Sequence, residues 1–417
     1  MKRRPIGLAL LVATALLSCN ATANAQSWNQ WRGPTRDARA TNLTLPTQLK
    51  DNLQLVWEKP LGPSYSGPVV SDGTLFVTET VDKQLERVTA FEMASGATQW
   101  QAEWPGSMSV PFFAAANGDW IRATPACDGE KLIVMGMRDV LVCLDASGGS
   151  EQWRIDFPAQ LGTPLPAFGG VCSPLIDGQT VYLQTGGPTV AVDIMTGQIR
   201  WQALKDNGGM MSGGAFSSPV IRTVAGKRQL LVQTRTKLTG VEPESGKVLW
   251  EEPIEAFRGM NILTPTLIGD RIFTAAHSGR SQLFELTADG SRFSIRELWN
   301  QKPQGYMSSP VVLGNAIYLH GKNERMMCLD VETGNIAWTS RPLGKYVSMV
   351  AASEKDLLAL TASGDLLRIE HSDQELNITD QVKVAEDSWA HLAVEGNLVI
   401  VRDLAAIKVF RLSTQAL

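Results

Sequence analysis

A chain of 417 residues is longer than one ordinary hydrophobic core fills, so its length asks for several domains or for a repeat architecture. With 44% hydrophobic and 19% charged residues it has the make-up of a folded globular protein, which excludes long disordered tracts. Its formal net charge of -4 argues against nucleic acid as a partner.

Residues 1–25 have the layout of a secretory signal, with Met1-Lys2-Arg3-Arg4 as the positive end and Ile6 to Leu17 as the apolar run. Two cleavage chemistries compete. Ala23-Asn24-Ala25 before Gln26 fits signal peptidase I, whereas Leu16-Leu17-Ser18-Cys19 resembles a bacterial lipobox that would leave Cys19 lipidated. Cleavage after Ala25 leaves 35 basic against 42 acidic side chains, a net charge of -7. The apolar run of 12 residues is too short to span a bilayer, and no second run of about 20 follows. The expectation is an exported protein without a membrane span, periplasmic and either soluble or lipid-anchored to the outer membrane.

Residues 26–52 read as an extended leader that includes Trp28-Asn29-Gln30-Trp31-Arg32-Gly33-Pro34, and 414–417 as a tail. Between them, from 53 to 413, one nine-residue pattern recurs: an acid, two variable residues, a small residue, Gly, three variable residues and Trp. It runs from Glu92 to Trp100, Asp145 to Trp153, Asp193 to Trp201, Glu242 to Trp250, and Asp330 to Trp338, with glycines 96, 149, 197, 246 and 334. A looser copy has Glu285, Asp289-Gly290 and a delayed Trp299. The pattern predicts a β-hairpin: the acid and the hydroxyl bond turn backbone, Gly96, Gly149, Gly197, Gly246 and Gly334 take the positive φ, and Trp returns on the next strand. The residue two before each acid (Ala90, Cys143, Ala191, Gly240, Cys328) is small, which predicts close packing there.

A small residue and proline precede each hairpin, at Gly67-Pro68, Thr124-Pro125, Ser173-Pro174, Ser218-Pro219, Thr264-Pro265 and Ser309-Pro310. Proline suits the first residue of a strand. A turn and an alternating strand follow, giving four strands per unit. Two degenerate units, Ser348 to Val384 and Trp389 to Leu412, complete the series, and the second has only three strands. Leu53 to Glu58, with Trp57, is an outer-strand sequence with no hairpin before it, so it supplies the missing strand and closes the ring. The 361 residues from Leu53 to Ser413 divide into eight units of about 45. The expected fold is all-β, an eight-bladed β-propeller of four-stranded antiparallel blades.

The hairpin Asp193-Ile194-Met195-Thr196-Gly197-Gln198-Ile199-Arg200-Trp201 resembles the repeat of pyrroloquinoline-quinone (PQQ) type propellers, and the leader is similar to one found before many bacterial members. The resemblance implies a superfamily of quinoprotein alcohol dehydrogenases and non-enzymatic relatives such as BamB, the lipoprotein of the outer-membrane β-barrel assembly machinery. The repeat tryptophans, Trp57, Trp100, Trp153, Trp201, Trp250, Trp299 and Trp338, are expected to hold blades together. Two marks of the dehydrogenases are missing: there is no Cys-Cys dipeptide for a vicinal disulfide and no Cys-x-x-Cys-His for haem. Cys127, Cys143, Cys172 and Cys328 fall at positions that do not meet in a propeller, so four free, mostly buried thiols are expected, and no metal site among them.

Function in a propeller gathers where the inter-blade loops and the loops between second and third strands converge. Those loops carry Met108, Met210, Met211, Met260, Met307 and Met349, adaptable side chains for a protein-binding face or plugs for the channel. Arg122, Arg258, His277, Arg280, His320, Lys322 and Arg325 are the polar candidates, suited to clamping a carboxylate or phosphate. His277 and His320 are the pair to examine for metal or acid-base chemistry. Aromatic supply for polysaccharide binding comes down to Trp104, Trp120 and Tyr306. The expected function is a non-catalytic periplasmic scaffold that needs no cofactor and holds an envelope protein or extended peptide. Its alternative is a small dehydrogenase using PQQ and calcium to oxidise an alcohol or sugar.

Overall fold

The computed structural model describes residues 27–40, 43–205 and 215–413. The candidate signal and lipidation site at Cys19, Met210, Met211 and the tail 414–417 lie outside the described residues. Among the described residues thirty-two strands form eight four-stranded antiparallel sheets, seven of them meanders in chain order. Blades 1 to 7 cover 69–105, 126–156, 175–203, 220–253, 266–301, 311–342 and 347–383. Blade 8 takes three strands from 393–412, and Leu53–Pro60 pairs antiparallel with Ala406–Leu412 as its outermost strand. The first and last strands of the propeller thus pair with each other and close the ring, as the lone outer-strand sequence predicted.

The repeat motif serves the seams between blades. In the hairpins Asp145, Asp193 and Asp330 accept from turn N–H groups and from Ser147, Thr196 and Thr333 hydroxyls. The small residues Ala90, Cys143, Ala191, Gly240 and Cys328 each stand directly opposite the returning Trp, and a bulge follows at once. That Trp then reaches the next blade. Indole N–H groups of Trp57, Trp100, Trp153, Trp201, Trp299 and Trp338 donate to carbonyls of Met93, Ala146, Ile194, Pro243, Val331 and Ser372, all at 2.8–3.0 Å. The rings of Trp57, Trp100, Trp153, Trp201 and Trp299 cover Gly96, Gly149, Gly197, Gly246 and Gly334, which leave no room for a Cβ. Blade 5 carries the lengthened hairpin, Ser281–Asp289 with Arg292–Gln301, and Trp250 donates instead to Gln229 of its own blade at 2.6 Å.

The Ser/Thr of the proline markers does more than start a strand. Gly67 N–H donates to Thr124 Oγ1, Thr124 N–H to Ser173 Oγ, Ser173 N–H to Ser218 Oγ and Thr264 N–H to Ser309 Oγ, at 2.9–3.0 Å. Most of the inner ends of the blades are thereby tied in a belt around the channel.

The leader is a plug. Residues 27–40 enter the channel on the face where the tight hairpins lie and bond to all eight blades. Trp28 carbonyl accepts from Val70, Asn29 exchanges two bonds with Cys127, and Trp28 and Ser27 donate to Glu395. Arg36 donates to the carbonyls of Ser173 and Pro174, and Arg222 to Thr35 carbonyl. Trp31 Nε1 donates to Thr264 Oγ1 at 3.0 Å, Arg32 to Pro310 carbonyl, and Ala38 and Ala40 exchange bonds with Ala351. Arg32 and Arg36 are wholly buried, and desolvation lowers their guanidinium pKa values to about 10 and about 9. Gly33, at φ 82°, has Trp28 folded over it, and Trp28 and Trp31 both pack on buried His391. Among the described residues no helix is long and apolar enough to cross a membrane.

Candidate functional site

With one end of the channel filled by the leader, the other is a blind pocket of about 180 Å³ whose floor includes Trp31. All eight inter-blade connections reach its wall, and they bring aromatic rings: Tyr65, Phe168, Phe216, Tyr306, Tyr346 and Trp389. Rings cluster here because the inner strand ends converge and each connection places a large side chain shortly before its strand begins. Tyr65 stacks on Trp389, with centroids 5.0 Å apart and planes at 17°, and meets Trp120 edge-on.

From the rim a ladder of four phenylalanines descends into the pocket: Phe112–Phe113 at 5.7 Å, Phe113–Phe168 at 6.2 Å and Phe168–Phe216 at 5.6 Å. Phe112 is 91% exposed and Phe113 52%, while Phe168 and Phe216 line the interior. Phe112 begins the 3₁₀ turn Phe112–Asn117 in the connection between blades 1 and 2. Leu165 and Phe257, also exposed, lie in inter-blade connections of the same face. So much exposed apolar surface on one face is the mark of a contact site.

Among the described residues one cation lines the pocket. Arg122 is held from behind by the carbonyls of Gly118 and Trp120, at 2.9 and 3.3 Å. Burial lowers its pKa to about 10, with Tyr65 and Asp119 opposing the shift, so it stays charged at neutral pH. Among the described residues no carboxylate lies within ion-pair distance of it, and no Asp or Glu lines the pocket. Burial raises the pKa values of Tyr65, Tyr306 and Tyr346, keeping these phenols neutral. The hydroxyls of Ser173, Ser218 and Ser309 in the wall already accept bonds in the belt.

The family model described as outer membrane protein assembly factor BamB matches residues 84–340. The chain belongs to this family. A BamB-like member from Moranella endobia is 19% identical over 385 residues, 88% of this chain and 92% of that protein. In fold, the chain is similar to BamB from Moraxella catarrhalis (TM-score 0.63, 15% identity, 86% of this chain and 99% of that one). It is equally similar to quinohemoprotein alcohol dehydrogenase from Comamonas testosteroni (TM-score 0.64, 12% identity, 94% of this chain and 82% of that one). At these identities the structural likenesses speak for the PQQ-like propeller fold.

On this BamB-like frame the candidate residues separate. Met260, Met307 and Arg122 come together in the pocket. At the rim, exposed Arg258 lies over the Phe257 ring at 5.1 Å, and His277 meets Tyr306 edge-on with centroids 5.0 Å apart. Burial, and after it the charge of Lys322, which donates to Ser278, lowers the His277 pKa. Arg280 is spent on Asn300 of its own blade and Arg325 on the Ser340 carbonyl of its own. His320 is fully buried inside blade 6, beside Ser308 Oγ at 3.3 Å, and burial lowers its pKa to about 4. A histidine in that place cannot join His277 at the mouth. Met108 packs into the seam of blades 1 and 2, and Met349 lies in the core around blades 6 to 8. The described cysteines, Cys127, Cys143, Cys172 and Cys328, are free and buried as expected. Among the described residues no three His, Cys, Asp or Glu are grouped to hold a metal.

Trp104 is buried and donates to Glu86, away from the pocket. Sequence reasoning does not single out the aromatics that line it, Tyr65, Phe168, Phe216, Tyr346 and Trp389. A signal is nevertheless there: Tyr65, Trp120, Phe168, Phe216 and Tyr306 all stand three to six residues before the proline of a small-residue–proline marker.

Proposed function

We propose that the chain is an exported, non-catalytic propeller of the cell envelope that holds an extended, aromatic-bearing segment of a partner protein in its mouth. The Phe112–Phe113–Phe168–Phe216 ladder carries this reading: a continuous apolar track from solvent to pocket has no structural need to be exposed. Relatives named for outer membrane protein assembly support an envelope protein as the partner, and strands of outer-membrane barrels carry aromatic girdles. Export, whether as a soluble or a Cys19-lipidated form, fits the same setting.

The dehydrogenase reading asks for PQQ with a divalent cation and a carboxylate base. The donor set does not fit, because the described pocket wall offers a cationic Arg122 and no carboxylate to ligate calcium or take a proton. Polysaccharide binding has its aromatics and, in Asn117 and the tyrosine phenols, some polar groups, but it gives no use to the exposed Phe112–Phe113 track, whose side chains offer a sugar no hydrogen bond.

Photo-crosslinkers placed at positions 112 and 168, followed by recovery from envelope extracts, test the proposal. Crosslinks to a discrete set of envelope proteins, lost with Phe113→Ser, are expected. Stoichiometric PQQ and calcium binding with dye-linked alcohol oxidation would overturn it.

A further inference from the structure

The pocket is blind, since Trp31 and the leader close the channel beneath it, so a segment cannot thread through and leave on the other side. Its size is also telling. An engineered apolar cavity of about 150 Å³ holds a benzene ring, and a pocket of about 180 Å³ therefore takes one aromatic side chain with little more. What it adds to apolar walls is a single guanidinium with no carboxylate partner among the described residues, desolvated and fixed by the carbonyls of Gly118 and Trp120. Asp119 acts on this guanidinium through space but forms no ion pair with it, so its desolvation is only partly offset, and an anion arriving there is rewarded by a charge-assisted bond in a low-dielectric wall.

Ring, anion and a dead end describe one kind of ligand. Resting on the interaction reading above, we propose that the pocket receives the end of a polypeptide, its C-terminal aromatic side chain against Tyr65, Phe168, Phe216 and Trp389 and its terminal carboxylate on Arg122. The residues before that end then lie along Phe113 and Phe112 toward the rim. Exposed Lys345, 5.8 Å above the Trp389 ring, adds a second positive charge at the entrance. Exposed Asp387 stands against it near Tyr65 but does not line the pocket. A free aromatic acid shares the chemistry of ring and carboxylate and lacks only the upstream chain.

Titration calorimetry on the purified full chain separates these. The probes are a hexapeptide ending in Phe with a free carboxylate, the same peptide amidated, an isomer with Phe internal and Ala last, and N-acetylphenylalanine. The free-acid peptide is expected to bind at least about tenfold more tightly than the amide. Arg122→Gln brings that acid-to-amide ratio to about one, and Arg122→Lys restores part of it, with melting curves checking that both variants fold. Equal binding of acid and amide by the unaltered protein, or a preference that survives Arg122→Gln, overturns the proposal. Equal binding of the internal-Phe isomer overturns the chain end and leaves the interaction reading standing, whereas binding of no peptide removes both. N-acetylphenylalanine is expected to bind at least about tenfold more weakly, having nothing on the ladder. Equal affinity would replace the chain end by a free aromatic acid.

Discussion

Trp57 on the ring-closing strand packs against Gly96 of blade 1, where a Cβ would sit 2.6 Å from the indole, while Trp57 Nε1 donates to Met93 carbonyl at 3.0 Å. Gly96 also holds φ 69°. Gly96→Ala therefore meets two penalties, a left-handed backbone and a displaced ring, and is expected to cost about 2–4 kcal/mol in urea unfolding. Gly290, at φ 61° and with open space for 4 Å around the place a Cβ would take, meets only the first, so Gly290→Ala should cost about 1 kcal/mol. Equal losses would show that the indole does not depend on the glycine.

At the mouth the expectation reverses. Phe112→Ser and Phe113→Ser remove side chains that are largely in solvent, so unfolding midpoints should move by no more than about 0.5 kcal/mol. Binding of the free-acid peptide should fall at least about tenfold in the double variant. A large stability loss without loss of binding would make the ladder structural.

Asp139 sits buried between the second-to-third-strand loops of blades 2 and 3, accepting from Gly186 N–H at 2.7 Å. Burial is the main cause that pushes its carboxyl up to about 7. Between about pH 4 and 7 the folded state then holds this proton more tightly than the unfolded chain, so its contribution to stability falls as pH rises through that window. Asp139→Asn keeps an acceptor for Gly186 and tolerates the φ of 60° at this position. The variant should be more stable at pH 8, by on the order of 1–3 kcal/mol, and no more stable at pH 4. Melting temperatures at the two pH values check it, and a pH-independent difference would contradict it.

Burial pushes the thiols of Cys127 and Cys172 up to about 11 and those of Cys143 and Cys328 up to about 12. At pH 8 in native buffer the four should resist a thiol-labelling reagent, and all four should react in denaturant. Fast native labelling at any of them would place that residue at the surface.

What the sequence discloses follows from where each structural constraint lies. Gly96, Gly149, Gly197, Gly246 and Gly334 answer to local turn geometry repeated five times, so the hairpins, the eight blades and the closing strand are readable. Sequence spacing misplaces His320 at the mouth because it lies at a strand end, where one residue decides between loop and blade interior. The pocket aromatics escape notice because Tyr346 and Trp389 follow no repeat and meet only through the convergence of all the blades. Nor does the leader's spacing match any strand or helix period, since its partners, from Val70 to Glu395, are scattered around the ring.

That scatter has a mechanical consequence. In most repeat architectures a unit feels only its two neighbours, so stability is close to a sum and a weak seam frays alone. Residues 27–40 act here as a hub with eight spokes, giving blades 3 and 6, which never touch, a common tether through Arg36 and Arg32. Prising any blade outward strains the hub, and through it every other spoke. Fraying one seam at a time is thereby replaced by collective release, and Trp28→Ala, which removes the hub's buried indole, should broaden the single unfolding transition as well as lower it.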